Sequence, residues 1–192
     1  MKNKITAAFG NEKLEHWEHI TYSQIHVIDL TRKTNSRKGV EIHDTQPEGV
    51  ATLLIGNPNI EDISATCFKA QCFCDVRGNE PTNCEGVFYL SDSTDKTWIL
   101  FIEIKDCDKG NIAKYFKDAK KQIISTVQIF RDKQIITEDK LVYANVSFPR
   151  ADKINFFNHF IKNPEQKKFR DDYKIAIKGT NKLVIKNHRT IS

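Results

Sequence analysis

The sequence predicts an α/β fold in which helices flank a mixed central β-sheet. Apolar residues recur with a 3.6-residue period from Ile112 to Phe130, which predicts one long amphipathic helix. The apolar stretches on either side, WILFIEIK at 98–105 and LVYANVSF at 141–148, predict buried strands. A strand–helix–strand passage implies a parallel crossover, and the polar turn before Trp98 implies an antiparallel hairpin. The predicted sheet is therefore mixed.

The length predicts a single domain over residues 1–192, with a basic C-terminal helix and hairpin at 150–192. The hydrophobic fraction is 39% and the charged fraction is 29%, as in soluble globular proteins. No apolar run reaches the roughly 18 to 20 residues that span a bilayer, and no signal-peptide core is present. We therefore expect a cytoplasmic protein without a membrane partner.

The N-terminal third of the sequence holds weaker patterns. Leu14, Trp17 and Ile20 recur at helical spacing, so residues 11–20 predict a short helix. The other elements, in chain order, are a strand or helix at 23–30, a loop at 31–49, a strand or helix at 49–55, a helix at 60–70 and a loop at 77–83.

The C-terminal segment is basic, since residues 162–192 carry nine Lys or Arg against three acidic residues. Apolar spacing predicts a helix at 150–163 that ends before Pro164, and YKIAIKGTNKLVIK predicts a closing hairpin at 173–186. Such a hairpin can bind a nucleic-acid backbone through its polar face, or can merely keep that face solvated. Four lysines share this face: Lys174, Lys178, Lys182 and Lys186.

Five cysteines make an odd count, and four of them fall between Cys67 and Cys84. Their spacing, C-x4-C-x-C-x9-C, differs from the paired C-x2-C knuckles of common zinc modules. Cysteine is also among the most buried residue types. We therefore expect core cysteines, with a structural zinc site as the alternative.

The hairpin CEGVFYLSDSTDKTWILFIEIKDC gathers charges at one end of an apolar sheet. Turn residues place its centre near Thr94, so that residues whose numbers sum to 188 lie opposite each other. That register sets Glu85 across from Glu103 on the neighbouring strand. Lys105 projects on the same side as Glu103, because side chains alternate along a strand.

Two carboxylates facing each other destabilise a sheet unless an opposite charge offsets them. Carboxylate oxygens suit Mg²⁺ or Mn²⁺, which the pair Glu85 and Glu103 is expected to bind. Lys105 can stabilise developing negative charge or orient an attacking water. Together these groups predict metal-assisted hydrolysis of a phosphodiester, and the alternative is an ordinary ion pair at a strand end.

The hairpin and its following helix resemble the PD-(D/E)XK nuclease superfamily, which has a restriction-endonuclease-like core. In that family an acidic residue ends one strand, a hydrophobic strand carries E-x-K, and a helix follows. The matching parts are Glu85 in CEGVFYL, Glu103 and Lys105 in WILFIEIK, and the helix at 112–132. The resemblance covers a nuclease-like core at residues 10–150 and implies an α-β-β-β-α-β order. It also implies an Mg²⁺-dependent endonuclease that favours DNA over RNA as its substrate. Many small nucleases of this kind act as homodimers.

The resemblance also suggests further site residues and a second function. Gln122 stands where many members carry a glutamine on the helix, but Thr126 stands where some carry a tyrosine. An acidic residue of the first helix often joins the site, and Glu15 and Glu18 both fit that role. The first acid is Glu85, where aspartate is commoner. These departures leave open a catalytically inactive member that only binds nucleic acid or protein.

Overall fold

A computed structural model describes residues 1–29, 40–75, 77–105, 112–151 and 163–192. These residues form three α-helices and eleven strands, with 3-10 turns at Asn11–Lys13 and Pro149–Ala151. The helices are α1 (Lys2–Phe9), α2 (Ile112–Asp132) and α3 (Asn163–Tyr173). The strands are β1 (Leu14–Ile20), β2 (Gln24–Asp29), β3 (Val40–His43), β4 (Leu53–Gly56), β5 (Ile63–Phe68), β6 (Gly86–Leu90), β7 (Trp98–Ile104), β8 (Leu141–Ser147), β9 (Ile175–Gly179), β10 (Lys182–Asn187) and β11 (Thr190–Ile191).

The strands form two mixed sheets, which confirms the predicted α/β class. The large sheet has the order β1-β5-β6-β7-β8-β9; its neighbours are antiparallel up to β7 and parallel from β7 to β9. The small sheet has the order β11-β10-β4-β2-β3, with β4 and β10 parallel. The sequence did not predict this second sheet.

Both faces of the large sheet are covered, and β7 shows the consequence. Ile99 and Phe101 pack with α1 and α2 in a helix-side core. Leu100 and Ile102 pack with the small sheet in an inter-sheet core. A strand buried on both faces is apolar at almost every position, as WILFIEI is. The next residue in this alternation, Glu103, falls on the helix side.

The central part of the chain follows the prediction closely. Helix α2 covers the predicted range, and β7 and β8 are the parallel strands on either side of it. The hairpin register is also confirmed, because Gly86 pairs with Ile102 and Phe88 with Leu100. No helix or strand is assigned to the described residues of the predicted loop at 77–83.

Two predicted N-terminal helices are wrong, because both segments are strands. Residues 11–20 form a 3-10 turn followed by β1, and most of 60–70 is β5, which is buried throughout. In β1 the register with β5 shifts between Trp17 and Ile20, where His19 has a φ of 56°. This bulge turns Ile20 to the same side as Trp17, and the result imitates helical spacing.

The other N-terminal assignments are resolved in favour of strands. Segments 23–30 and 49–55 were compatible with strand or helix, and they contain β2 and β4. The predicted loop at 31–49 contains the short strand β3, which pairs with β2. Helix α1 lies before all of the predicted elements and buries Ile5 and Phe9 in the helix-side core.

The predicted hairpin at 173–186 is wrong, because its two strands belong to different sheets. Strand β9 runs parallel to β8 in the large sheet, whereas β10 runs parallel to β4 in the small one. The link between them is held by Asn181, whose side chain accepts from Phe148 N at 2.8 Å and donates to Phe148 O at 2.9 Å. The chain therefore crosses between sheets here, and the C-terminal hairpin is formed by β10 and β11.

Most of the predicted helix at 150–163 lies at 152–162, outside the described residues. Helix α3 begins at Asn163, directly before Pro164. Proline is well tolerated in the first turn of a helix because no intrahelical bond needs its missing N–H. Pro164 therefore marks the beginning of a helix rather than an end. No helix in the described ranges is both long and apolar enough to cross a membrane.

Candidate metal centre at the open end of the hairpin

The backbone brings the two predicted carboxylates together at the open end of β6 and β7. Glu85 directly precedes β6, and its N–H donates to Ile102 O at 3.1 Å. The same N–H lies 3.1 Å from Glu103 Oε2, which accepts from it. Glu85 therefore lies across from Glu103, as the register predicts.

Glu103 is a fully buried carboxylate with one cationic neighbour. Its Oε1 atom lies 2.5 Å from the Lys105 ammonium. The two groups form a close ion pair, and their interaction affects the pKa of both. Glu85 is half-buried, and no partner of its carboxylate is seen within the described part of the chain. Two carboxylates thus lie near one ammonium, and the group would carry a net negative charge if both carboxylates were ionised.

The pKa values of both carboxyl groups are raised by burial and by the neighbouring negative charge. Burial, with the charge of Glu85 adding to it, raises the pKa of Glu103 to about 8 despite the opposing effect of Lys105. Burial likewise raises the pKa of Glu85 to about 7. Burial acts to lower the pKa of Lys105, but the neighbouring carboxylates outweigh it and leave the pKa raised. Without another cation, the acidic pair tends to hold a proton near neutral pH.

Asp29 adds a third negative charge that the sequence did not reveal. It is the last residue of β2 in the small sheet. Its charge raises the pKa of both Glu85 and Lys105. No local pattern links Asp29 to the hairpin, because the two come together only where the small sheet covers the large one.

Helix α2 holds the backbone that leads into Glu85. Gln122 Nε2 donates to Asn83 O at 2.9 Å. One turn later, Thr126 Oγ1 accepts from Cys84 N at 2.9 Å and donates to Gln122 O at 2.9 Å. Gln122 and Thr126 therefore position the strand entry rather than contact the carboxylates. The other polar atom of the Gln122 amide, Oε1, is buried and has no hydrogen-bond partner among the described residues.

The two acids considered for the first helix lie on a strand instead. Glu18 forms an ion pair with Lys2 of α1. Glu15 is exposed and pairs in register with Cys67. Its charge contributes to raising the pKa of the Cys67 thiol, for which burial is the main cause. Glu15 and Glu18 thus have other surroundings, and neither is brought to the carboxylate pair by a hydrogen bond or ion pair.

The cysteines are chiefly core residues, as expected. Cys67, Cys72 and Cys84 are buried, Cys74 is half-buried, and Cys107 lies outside the described residues. Burial raises the pKa of Cys72 to about 12 and also raises that of Cys84. Among the residues that the structure describes, no three His, Cys, Asp or Glu side chains are grouped so as to hold a metal ion.

The four predicted nucleic-acid-binding lysines do not share one face. Lys178 is half-buried on β9, where its row of the large sheet contains Asn145 and Ile102, so it lies about 10 Å from Ile102. Burial lowers the pKa of Lys178, and the charge of Lys186 adds to the effect. Lys182 and Lys186 are exposed on β10, and Lys174 precedes the other end of β9. Lys178 alone of the four lies in the rows next to the carboxylates.

The arrangement suits a divalent cation of the hard type. Mg²⁺ usually binds through one or two carboxylates and keeps several waters, and Mn²⁺ accepts similar oxygen ligands. Glu103 Oε1 is a buried oxygen that contacts the Lys105 ammonium, and it lies beside the Glu85 carboxylate, for which no hydrogen bond is seen in the described part of the chain. The donor set therefore fits Mg²⁺ or Mn²⁺. Comparisons with protein-family models, curated proteins and solved structures find no significant match to this chain.

Proposed function

We propose that this protein is a metal-dependent phosphodiester hydrolase, a nuclease that acts on DNA in preference to RNA. The observation that carries the proposal is the buried Glu103 carboxylate beside Glu85, with only the Lys105 ammonium to balance the two. Burying such a pair costs free energy that no apolar strand end would require. Binding of a catalytic metal ion would explain why the two carboxylates are placed together despite this cost.

The chemistry follows from the properties of each group. Mg²⁺ or Mn²⁺ bound by Glu85 and Glu103 would polarise a phosphate oxygen and make a bound water more acidic. Lys105 is 22% exposed, so its ammonium can reach a phosphate oxygen or an attacking water at the edge of the site. Gln122 and Thr126 keep Glu85 in place through the backbone of residues 83–84.

The order of elements supports the same proposal. Along the chain, β5, β6, β7, α2 and β8 follow the β-β-β-α-β part of the order that the resemblance to PD-(D/E)XK nucleases implies, whereas four further strands, β1 to β4, separate α1 from β5. Lys178 adds a positive charge in the row of the large sheet next to that of Glu103. Such charge favours a polyanionic substrate.

The test is cleavage of duplex DNA, single-stranded DNA and RNA with Mg²⁺ or Mn²⁺. The variants are Glu103→Gln and, as a matched control, Glu48→Gln, which changes an exposed loop carboxylate. We expect cleavage by the wild type and the control, none in EDTA, and loss in Glu103→Gln. An inactive wild type, or a Glu103→Gln variant that cleaves as fast as the wild type, would contradict the proposal.

A second candidate is a binding module on the same fold that does not cleave. The observation in its favour is the ion pair itself, since Lys105 already neutralises one of the two carboxylates. This candidate predicts salt-dependent nucleic-acid binding that survives Glu103→Gln without any cleavage. Binding should weaken when Lys178, Lys182 and Lys186 are replaced together.

A further inference from the structure

Arg131 is a buried cation far along α2 whose charge is poorly compensated. Its side chain is 10% exposed. The Nε and Nη2 atoms are buried and have no hydrogen-bond partner in the described ranges. The nearest carboxylate, Glu138 Oε1, lies 3.8 Å from Nε, beyond hydrogen-bond distance.

A buried guanidinium cannot escape this cost by losing its proton. Lysine and glutamate side chains can neutralise when they are buried, but arginine stays protonated in proteins. Lys140, the other strongly buried cation, shows the usual solution: its ammonium donates to Ser93 Oγ at 2.8 Å, to Thr97 Oγ1 at 3.2 Å and to Thr94 O. Arg131 has no such set of oxygens, and a buried donor without a partner calls for an explanation such as a bound ion.

The two unpartnered atoms lie on the same edge of the guanidinium. Nε–H and one Nη2–H point in parallel, which matches two oxygens of a carboxylate or phosphate group in a bidentate contact. Both donors are therefore suited to one oxyanion.

Glu138 lies where it can cover this edge without filling it. Its side chain is 77% exposed, in the segment that joins α2 to β8. At 3.8 Å from Nε, its carboxylate attracts the guanidinium but makes neither of the two hydrogen bonds. An exposed side chain of this kind can turn away at little cost, because it loses only a loose ion pair.

We propose that the Nε–Nη2 edge of Arg131 is a binding site for an external oxyanion, a phosphate or carboxylate group, which competes with Glu138. The anion accepts both hydrogen bonds and balances the buried charge, and Glu138 swings into solvent when it binds. The site is separate from Glu85 and Glu103, and it does not rest on the proposed nuclease function.

The experiment is calorimetric titration of inorganic phosphate into the full chain at constant ionic strength, with EDTA present to keep divalent cations from the metal centre. We expect one phosphate per chain in the wild type. In Glu138→Gln the apparent Kd should fall by about threefold, because the loose ion pair that competes with the anion is lost. Arg131→Lys keeps the positive charge but lacks the paired donors, so binding should be lost.

The control is Lys133→Met, which removes a nearby exposed cation and leaves the Arg131 edge intact; its affinity should equal that of the wild type. The proposal is overturned if the wild type does not bind phosphate, or if Arg131→Lys binds it equally well. If Arg131→Lys does not fold, the phosphate affinities of the wild type and Glu138→Gln test the proposal. Equal affinities would overturn it, because Glu138 would then not compete with the anion.

Discussion

Both ends of the β6–β7 hairpin bury charged groups, but they differ in how well those charges are compensated. At the turn, the Lys140 ammonium is enclosed by neutral oxygens of residues 93–97, and every N–H has an acceptor. At the open end, Glu85 lies across from Glu103, and the Lys105 ammonium contacts Glu103. The buried ammonium at the turn therefore has its hydrogen-bond acceptors, whereas the open end has more carboxylates than cations among the described residues.

This difference separates a structural charge from a functional one. A buried ion with all its hydrogen bonds made fixes local structure and needs nothing further. A buried pair of carboxylates whose charge is not fully neutralised is stabilised when a cation, such as a metal ion, binds to it. Changes at the open end should therefore alter activity, and changes at the turn should alter stability.

The largest effect is expected for Glu103→Gln. Cleavage should fall by at least about 100-fold, the size of loss seen when one preorganised charge-stabilising group is removed. The free energy of unfolding at pH 7 without metal should rise rather than fall. The reason is that the raised pKa of Glu103, about 8, makes its ionisation less favourable in the folded state than in the unfolded state, and glutamine removes that cost. Initial rates and urea unfolding measure the two quantities; a large loss of stability would place Glu103 with the structural charges.

Lys140→Met should show the reverse. Its buried ammonium is the donor for three turn oxygens, and leaving buried acceptors unpaired costs about 1 to 3 kcal/mol. The rate of cleavage by the folded protein should not change, because Lys140 lies at the opposite end of the hairpin. Urea unfolding with parallel rate measurements tests this. If cleavage fell while stability held, the proposed division between the two ends would be wrong.

Thr126→Val is expected to have an intermediate effect on both quantities. It keeps the shape of the side chain but removes the oxygen that accepts from Cys84 N, at a cost of about 1 to 2 kcal/mol. Because that bond positions Glu85, cleavage should also fall, by about tenfold. Thr126→Ser, which retains the hydroxyl, is the matched control and should behave like the wild type. Equal activity in Thr126→Val and Thr126→Ser would show that the bond does not position Glu85.

The last expected effect is a pH dependence of stability. The folded pKa values of Glu85 and Glu103 are raised from the ordinary 4.5 to about 7 and 8, so the folded state holds protons that the unfolded state releases. Their contribution is fully present below about pH 4.5 and is lost as pH rises through 7 and 8. In EDTA, the Tm difference between wild type and Glu103→Gln should therefore shift against the wild type from pH 5 to pH 8.5. A difference that stays constant with pH would contradict the raised pKa of Glu103.

The same contrast explains which parts of the structure the sequence could predict. The hairpin register was predictable because a polar turn fixes its centre and two apolar strands leave few alternatives. Glu85, Glu103 and Lys105 follow from that register alone. Helix α2 was predictable because its apolar period is long.

Features that depend on distant parts of the chain were not predictable. A bulge in β1 brought Trp17 and Ile20 to one side and imitated a helix. Residues 179–181 have the composition of a hairpin turn, yet they connect a strand of the large sheet to a strand of the small sheet. Asp29 reaches the site only because the small sheet packs on the large one. In each case a tertiary contact overrides the local pattern.

The central claim is that Glu85 and Glu103 together bind one divalent cation. Anomalous diffraction from a crystal soaked in Mn²⁺ tests it most directly. The account predicts one strong peak within about 2.5 Å of an oxygen of each carboxylate, with the Lys105 ammonium turned away from Glu103 Oε1. The absence of a peak there, in a crystal whose Glu103 still holds Lys105, would contradict it.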